Sequence, residues 1–184
     1  MMGLLQILAI VGLACLGSGY AQDVYVVCGL KVRTSTEANK VFTAPANTLA
    51  FTEVFSYNKY WNIHSISVDD SRSSIYFEDF YGKSAMRYDA QGNKVQVTPT
   101  GTEYVDYMIV DETGSTLYYF DYDGVAFSVD LTAADPSTTM KQLATTGRVI
   151  SAAINGRDLY LTIFQQTAHS STRDIRKLNV DTGK

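Results

Sequence analysis

Cysteine, proline, histidine and tryptophan are all scarce in this chain. Its 184 residues hold two Cys, three Pro, two His and one Trp. Two cysteines rule out a disulfide-stapled scaffold, because a small core stabilised that way needs several bridges. Two histidines, His64 and His169, lie far apart in sequence with no Ser-His-Asp or metal-ligand spacing around them, which gives no catalytic constellation to build on. No Asn-x-Ser/Thr sequon occurs, so N-glycosylation is not expected. Charge is balanced, with 15 Lys+Arg against 19 Asp+Glu and a net charge of -4. The two signs are interspersed, and no basic patch or stripe marks a nucleic-acid partner. Beyond Leu16 no run is apolar and long enough to span a bilayer.

The one long apolar run is at the start. Leu4 to Leu16 is interrupted only by Gln6 and Gly12, and small residues follow at Gly19 and Ala21. That pattern reads as a signal peptide over residues 1–21, cut before Gln22, although the first residues carry no Lys or Arg. An uncleaved anchor would need about 20 apolar residues, more than are present. A lipoprotein signal would lipidate Cys15, but Gly12 stands where that motif has Leu. The expectation is a secreted, extracellular protein with no membrane span once the signal is removed. Cys28 is then alone, which points to intermolecular pairing, a free thiol or a partner in further sequence.

What the chain has in quantity is tyrosine, 13 of them, and an internal repeat. Ile75-Tyr76-Phe77, Leu117-Tyr118-Tyr119 and Leu159-Tyr160-Leu161 recur at intervals of 42 residues. Six residues ahead of the first two stand Val68-Asp69 and Val110-Asp111, with Ile154-Asn155 as the shortened third counterpart. A later alternating segment ends each copy in Asp: Tyr88-Asp89, Val129-Asp130 and Val180-Asp181. The third arrives late because Gln165 to Thr172 reads as a polar loop insertion. A period of this length with several short strands per unit is β-propeller spacing. The first unit predicts strands near Ser65–Val68, Ile75–Asp79, Ala85–Tyr88 and Lys94–Thr98, separated by turns rich in Gly, Asp, Asn and Ser. The predicted fold is all-β, with four-stranded antiparallel blades over about 61–103, 104–148 and 149–184, and a partial blade over 23–60.

These strands resemble those of the YWTD propellers found in low-density-lipoprotein-receptor-like ectodomains. Tyr76-Phe77-Glu78-Asp79 and Tyr118-Tyr119-Phe120-Asp121 keep the leading Tyr and final Asp of that motif. Tyr160-Leu161-Thr162-Ile163 keeps Tyr and Thr, and no copy has the Trp. The resemblance implies a six-bladed ring, of which this chain supplies the N-terminal part. The alternative is a half-propeller that pairs with a second copy. It also implies that Asp79 and Asp121 bridge neighbouring blades.

In such a propeller the loops leading into the innermost strands open on one face, where the resemblance implies that protein ligands bind. Tyr60, Trp61 and His64 precede the first inner strand, and Tyr104, Asp106 and Tyr107 the second. Aromatics beside a polar group are the chemistry of an interface hot spot, and they equally fill gaps between blades. Asp69 and Asp111, at inner-strand ends, are either ligands for a calcium ion, which takes several converging oxygens, or acceptors for the amides of their own turns. The turn role is the favoured reading, and no cofactor is expected. Three functions follow. The first is a non-catalytic extracellular module that binds a protein or peptide. The second is a secreted calcium-dependent lactonase-type hydrolase. The third is a matrix component. Self-association through open propeller edges or Cys28 is a further expectation.

Overall fold

A computed structural model describes residues 10–12, 23–28, 39–45, 47–57, 63, 65–69, 72–79, 83–99, 104–111, 113–166 and 170–184. Strands fall in four antiparallel sheets, and a short 3-10 turn spans Pro136–Thr138. No helix among them is long and apolar enough to cross a membrane. The chain divides into two compact units, Met1–His64 and Ser65–Lys184.

The first unit is one meander of β1 (Ile10–Gly12), β2 (Asp23–Cys28), β3 (Asn39–Pro45) and β4 (Thr52–Tyr57). Val24 to Val27 pairs with Val41 to Ala44, two segments rich in the β-branched and aromatic residues that favour strands. The sheet has a full set of four strands, and the outermost comes from the segment that reads as a signal peptide: Ile10–Gly12 lies opposite Tyr25–Val27.

The second unit holds three sheets. The first blade is β5 (Ile66–Asp69), β6 (Ser74–Asp79), β7 (Ser84–Tyr88) and β8 (Lys94–Gln96). The second is β9 (Val105–Val110), β10 (Thr116–Asp121), β11 (Val125–Asp130) and β12 (Lys141–Thr145). The third is β13 (Val149–Asn155), β14 (Asp158–Gln166) and β15 (Ser171–Asn179). The register confirms the repeat. Tyr76 lies opposite Ser67, Tyr118 opposite Ile109, and Tyr160 opposite Ala153. One feature differs from the sequence expectation. Gln165, Gln166, Ser171 and Thr172 are not loop: they lengthen the β14–β15 hairpin, with Gln166 opposite Ser171. Gln165, Ser171 and Thr172 are exposed, so the polarity that reads as a loop is the mark of a ladder open to water.

The blades stack face to face. In β10, alternate side chains go to opposite sides. Leu117 and Tyr119 join a cluster with Tyr76, Ala85 and Val97 of the first blade. Tyr118 and Phe120 join another with Leu159, Leu161 and Ile163 of the third. Within the first cluster the Tyr119 and Phe127 rings stack at 4.9 Å as a cross-strand pair. The inner strands β5, β9 and β13 run side by side along one edge of the stack.

Candidate functional site

A register shift marks the start of two inner strands. Tyr107 lies opposite Phe120 and Val105 opposite Asp121, which leaves Asp106 as the extra residue of a bulge. Val149 lies opposite Ile163 and Ser151 opposite Thr162, which leaves Ile150 as the extra residue in the third blade. A bulge re-aims its side chain and resets the alternation of the strand. Val105 therefore shares the first cluster with Met108 and Val110 despite the odd spacing, while Tyr107 and Ile109 pack on the second.

Asp106 turns towards Arg148, which reaches it from the segment between β12 and β13. Arg148 donates Nε–H to Asp106 Oδ2 at 2.6 Å and Nη2–H to Oδ1 at 3.3 Å. The guanidinium also lies over the Tyr122 ring, 4.4 Å from its centre. Two glycines place it there. Gly124 has φ +82° and closes the β10–β11 turn, where Val125 N–H donates to Asp121 Oδ1 at 2.7 Å. Its carbonyl accepts from Thr146 N–H at 2.7 Å and Gly147 N–H at 3.3 Å. A Cβ on Gly124 would stand 2.4 Å from the Gly147 carbonyl carbon, so the approach that carries Arg148 to Tyr122 needs glycine there. The hydrogen bonds from Arg148 to Asp106 hold the guanidinium pKa above its ordinary value.

A second cation sits on a second ring. Lys83, in the β6–β7 turn with φ +47°, holds its Nζ 4.5 Å from the centre of the Tyr104 ring. Tyr122 N–H donates to the Tyr104 carbonyl at 2.9 Å, which joins the two ring-bearing segments. Tyr104 is 37% exposed and Tyr122 54%. Lys83, Tyr104, Asp106, Tyr122 and Arg148 thus form a patch at one end of the strands. Tyr104 and Asp106 were legible from the sequence, whereas Tyr107, partly buried, packs against the second cluster. Tyr60, Trp61 and His64 lie outside the described residues, as does His169. Lys83, Tyr122 and Arg148 fall outside the residues that the repeat marks in the sequence. The available signal was Asp121-Tyr122-Asp123-Gly124, a turn motif that puts an aromatic at the tip.

The opposite strand ends carry Asp69 and Asp111. The Asp111 carboxylate accepts from Ser115 N–H at 2.8 Å, Thr116 N–H at 3.2 Å, the Ser115 hydroxyl at 2.9 Å and the Thr113 hydroxyl at 3.1 Å. Burial opposes its ionisation, but the Thr116 and Ser115 donors outweigh it and hold the carboxyl below its ordinary value. Asp69 is 5% exposed, accepts from Arg72 N–H at 3.3 Å and is wedged against Gly114 of the next blade. Among the described residues no cluster of His, Cys, Asp and Glu has the geometry to hold a metal ion. Of the motif residues, Tyr76 and Tyr118 are buried, with their hydroxyl pKa values raised by that burial. Asp79 and Asp121 are buried too, and the Asp121 bond to Val125 lies within its own blade. Tyr160 is 42% exposed. Cys28 is the last residue of β2, its backbone opposite Lys40.

No family model and no curated protein matches the chain. Solved structures do. A nidogen/laminin complex superposes with a TM-score of 0.64 at 14% identity, over 87% of this chain and 57% of that one. TolB from Acinetobacter baumannii gives 0.63 at 13% identity, over 88% and 39%. A calcium-binding regucalcin from Agrobacterium tumefaciens gives 0.56 at 15%, over 76% and 49%. The fold is that of a β-propeller. The chain spans about half the length of the propeller structures it matches. Identities this low carry the fold and not the activity.

Proposed function

We propose that this propeller is a secreted, extracellular binding module that recognises a protein or peptide and performs no catalysis. The observation that carries the reading is the pair of exposed rings, Tyr104 and Tyr122, each held by its own cation at one end of the strands. An aromatic fixed before binding loses little side-chain entropy when a partner covers it, and a tyrosine offers both an apolar face and a hydroxyl. The nidogen/laminin neighbour is a complex of two proteins, which lends the reading an analogy. Secretion rests on the apolar run over residues 4–16 and the small residues at Gly19 and Ala21. No cofactor enters this reading, since the Asp111 carboxylate already serves the amides of its own turn. The YWTD-like strands are compatible with a six-bladed ring completed by further sequence.

The test is selection of a displayed peptide library on the purified chain, followed by measurement of each selected peptide against Tyr104→Ala and Tyr122→Ala. Hot-spot truncation costs about 2 kcal/mol or more, roughly a thirtyfold loss of affinity. Peptides that bind the native chain and lose that much on both variants support the reading. Failure to select any, or peptides indifferent to both substitutions, overturns it. Calcium provides a separate check. A ligand at ~100 times its Kd stabilises the native state by about 2.7 kcal/mol, and a gain of that order in urea unfolding on adding calcium would favour the hydrolase instead.

A further inference from the structure

The seam between the first and second blades contains an arginine that the next seam lacks. Tyr76 lies opposite Ser67 on β5 and Arg87 on β7, so all three side chains point from the first blade to the same side. Tyr76 there joins the apolar cluster shared with the second blade. Its counterpart Tyr118 lies opposite Ser128, so a serine stands where the first blade has Arg87. A guanidinium donor taken out of water costs the loss of its hydration unless an acceptor replaces it.

Two buried donors at this seam meet no acceptor. Tyr76 is 0% exposed, and neither its hydroxyl nor the Arg87 Nε–H has a hydrogen-bond partner. The nearby carboxylates are engaged elsewhere. Asp69 holds Arg72, through the Arg72 N–H at 3.3 Å and its Nε at 3.8 Å. Asp89 accepts from Gln91 N–H at 3.0 Å, Asn93 N–H at 2.8 Å and Asn93 Nδ2–H at 3.0 Å. Burial first, and then Asp69, raise the Tyr76 hydroxyl pKa, while Arg87 and Arg72 act against them. The phenol therefore stays protonated as a donor, within electrostatic reach of one acid and two bases. Asp69 and Arg72 form a pair, and Arg87 is the cation left over.

We infer that this seam binds a small monovalent anion, chloride being the simplest, between the Tyr76 hydroxyl and Arg87 Nε. The two groups both donate, so the ligand must accept from each. A single negative charge balances the one cation left over, as a buried charge requires. The walls set the size. Tyr76 packs with Ala85, Val97, Val110 and Leu117, and an apolar lining of that kind offers a large oxyanion no further donors. A water molecule bridging Tyr76 to Asp69 is the competing occupant. It carries no charge and leaves Arg87 unbalanced.

Urea unfolding at fixed ionic strength tests this, with sodium gluconate replaced stepwise by sodium chloride. Gluconate is too large for the seam. An anion that binds only the folded chain stabilises it in proportion to the logarithm of its concentration above Kd, so the native midpoint should climb with chloride. Tyr76→Phe and Arg87→Met each remove one donor, and each should give the same midpoint in both salts. The measured quantity is the difference between salts, so a variant that is less stable overall still reports. Crystals grown in sodium bromide should show an anomalous peak between Tyr76 Oη and Arg87 Nε. Equal native midpoints in the two salts overturn the inference. So does a chloride effect that survives both substitutions, or density at that place without a bromide signal, which assigns it to water. None of these outcomes bears on peptide capture at Tyr104 and Tyr122.

Discussion

The two seams between the three blades of the second unit are closed by different means. Between the first and second blades the inner strands meet through hydroxyls. Ser65 Oγ accepts from Met108 N–H at 3.1 Å, and Ser67 Oγ from Val110 N–H at 2.9 Å. Arg72 adds a bond to the Leu131 carbonyl at 3.1 Å, and Asp69 tucks against Gly114. Between the second and third blades, the residues that repeat Ser65 and Ser67 are Tyr107 and Ile109. They pack with Ala152 and Ile154 on an apolar cluster, and the polar contact moves outward to the Arg148–Asp106 pair. The lesson is that the backbone N–H groups of an inner strand need a partner when buried, whereas the aromatic and aliphatic face needs only to be covered. A short hydroxyl at one seam serves the first need, and a bulky side chain at the other serves the second.

The largest break should come from the apolar seam. Leu161 is 1% exposed inside the second cluster, so Leu161→Ala should cost about 2–5 kcal/mol in urea unfolding. The polar seam should yield less per residue and for a different reason. Ser65→Ala leaves a buried Met108 N–H without its acceptor, at about 1–3 kcal/mol, while Ala152→Ser across the other seam should restore nothing. Gly114→Ala should cost about as much, ~1–3 kcal/mol. Its Cβ would stand 2.4 Å from Asp69 Oδ2, and its φ is +67°. Removing the carboxylate as well, in an Asp69→Ala, Gly114→Ala double variant, should recover part of that loss if the seam contact is what resists the methyl group.

Asp106→Ala is the next step down. Its partner Arg148 has a side chain 37% exposed, so solvent screening limits the loss to about 1 kcal/mol. The native pair should weaken in 1 M salt and the variant should not. The smallest effect is that of acid on Asp111. Its carboxyl pKa is lowered in the folded chain. The stabilisation is therefore complete above the unfolded value of about 3.9 and is lost as pH falls through the lower folded value. Asp111→Asn should flatten that acid limb of the stability curve, measured by urea midpoints at successive pH values.

The sequence by itself determined the blades of the second unit. Strand alternation has a period of two, and the turns between strands are punctuated by Gly and Asp, so Ile75, Leu117 and Leu159 are legible as equivalent positions wherever the chain is cut. It also located Tyr104 and Asp106 at the start of an inner strand, since that follows from counting along the repeat. Only the tertiary structure decided which of these residues share a patch. Tyr107 differs from Tyr104 by three positions, yet the bulge at Asp106 turns it against the second cluster. Lys83 and Arg148 belong to turns far from Tyr104 in sequence, and each arrives through the stacking of one blade on the next. Local periodicity is written in neighbouring residues, but the meeting of two turns depends on a close approach such as that of Gly124 to Gly147, and that distance exists only once the blades have packed.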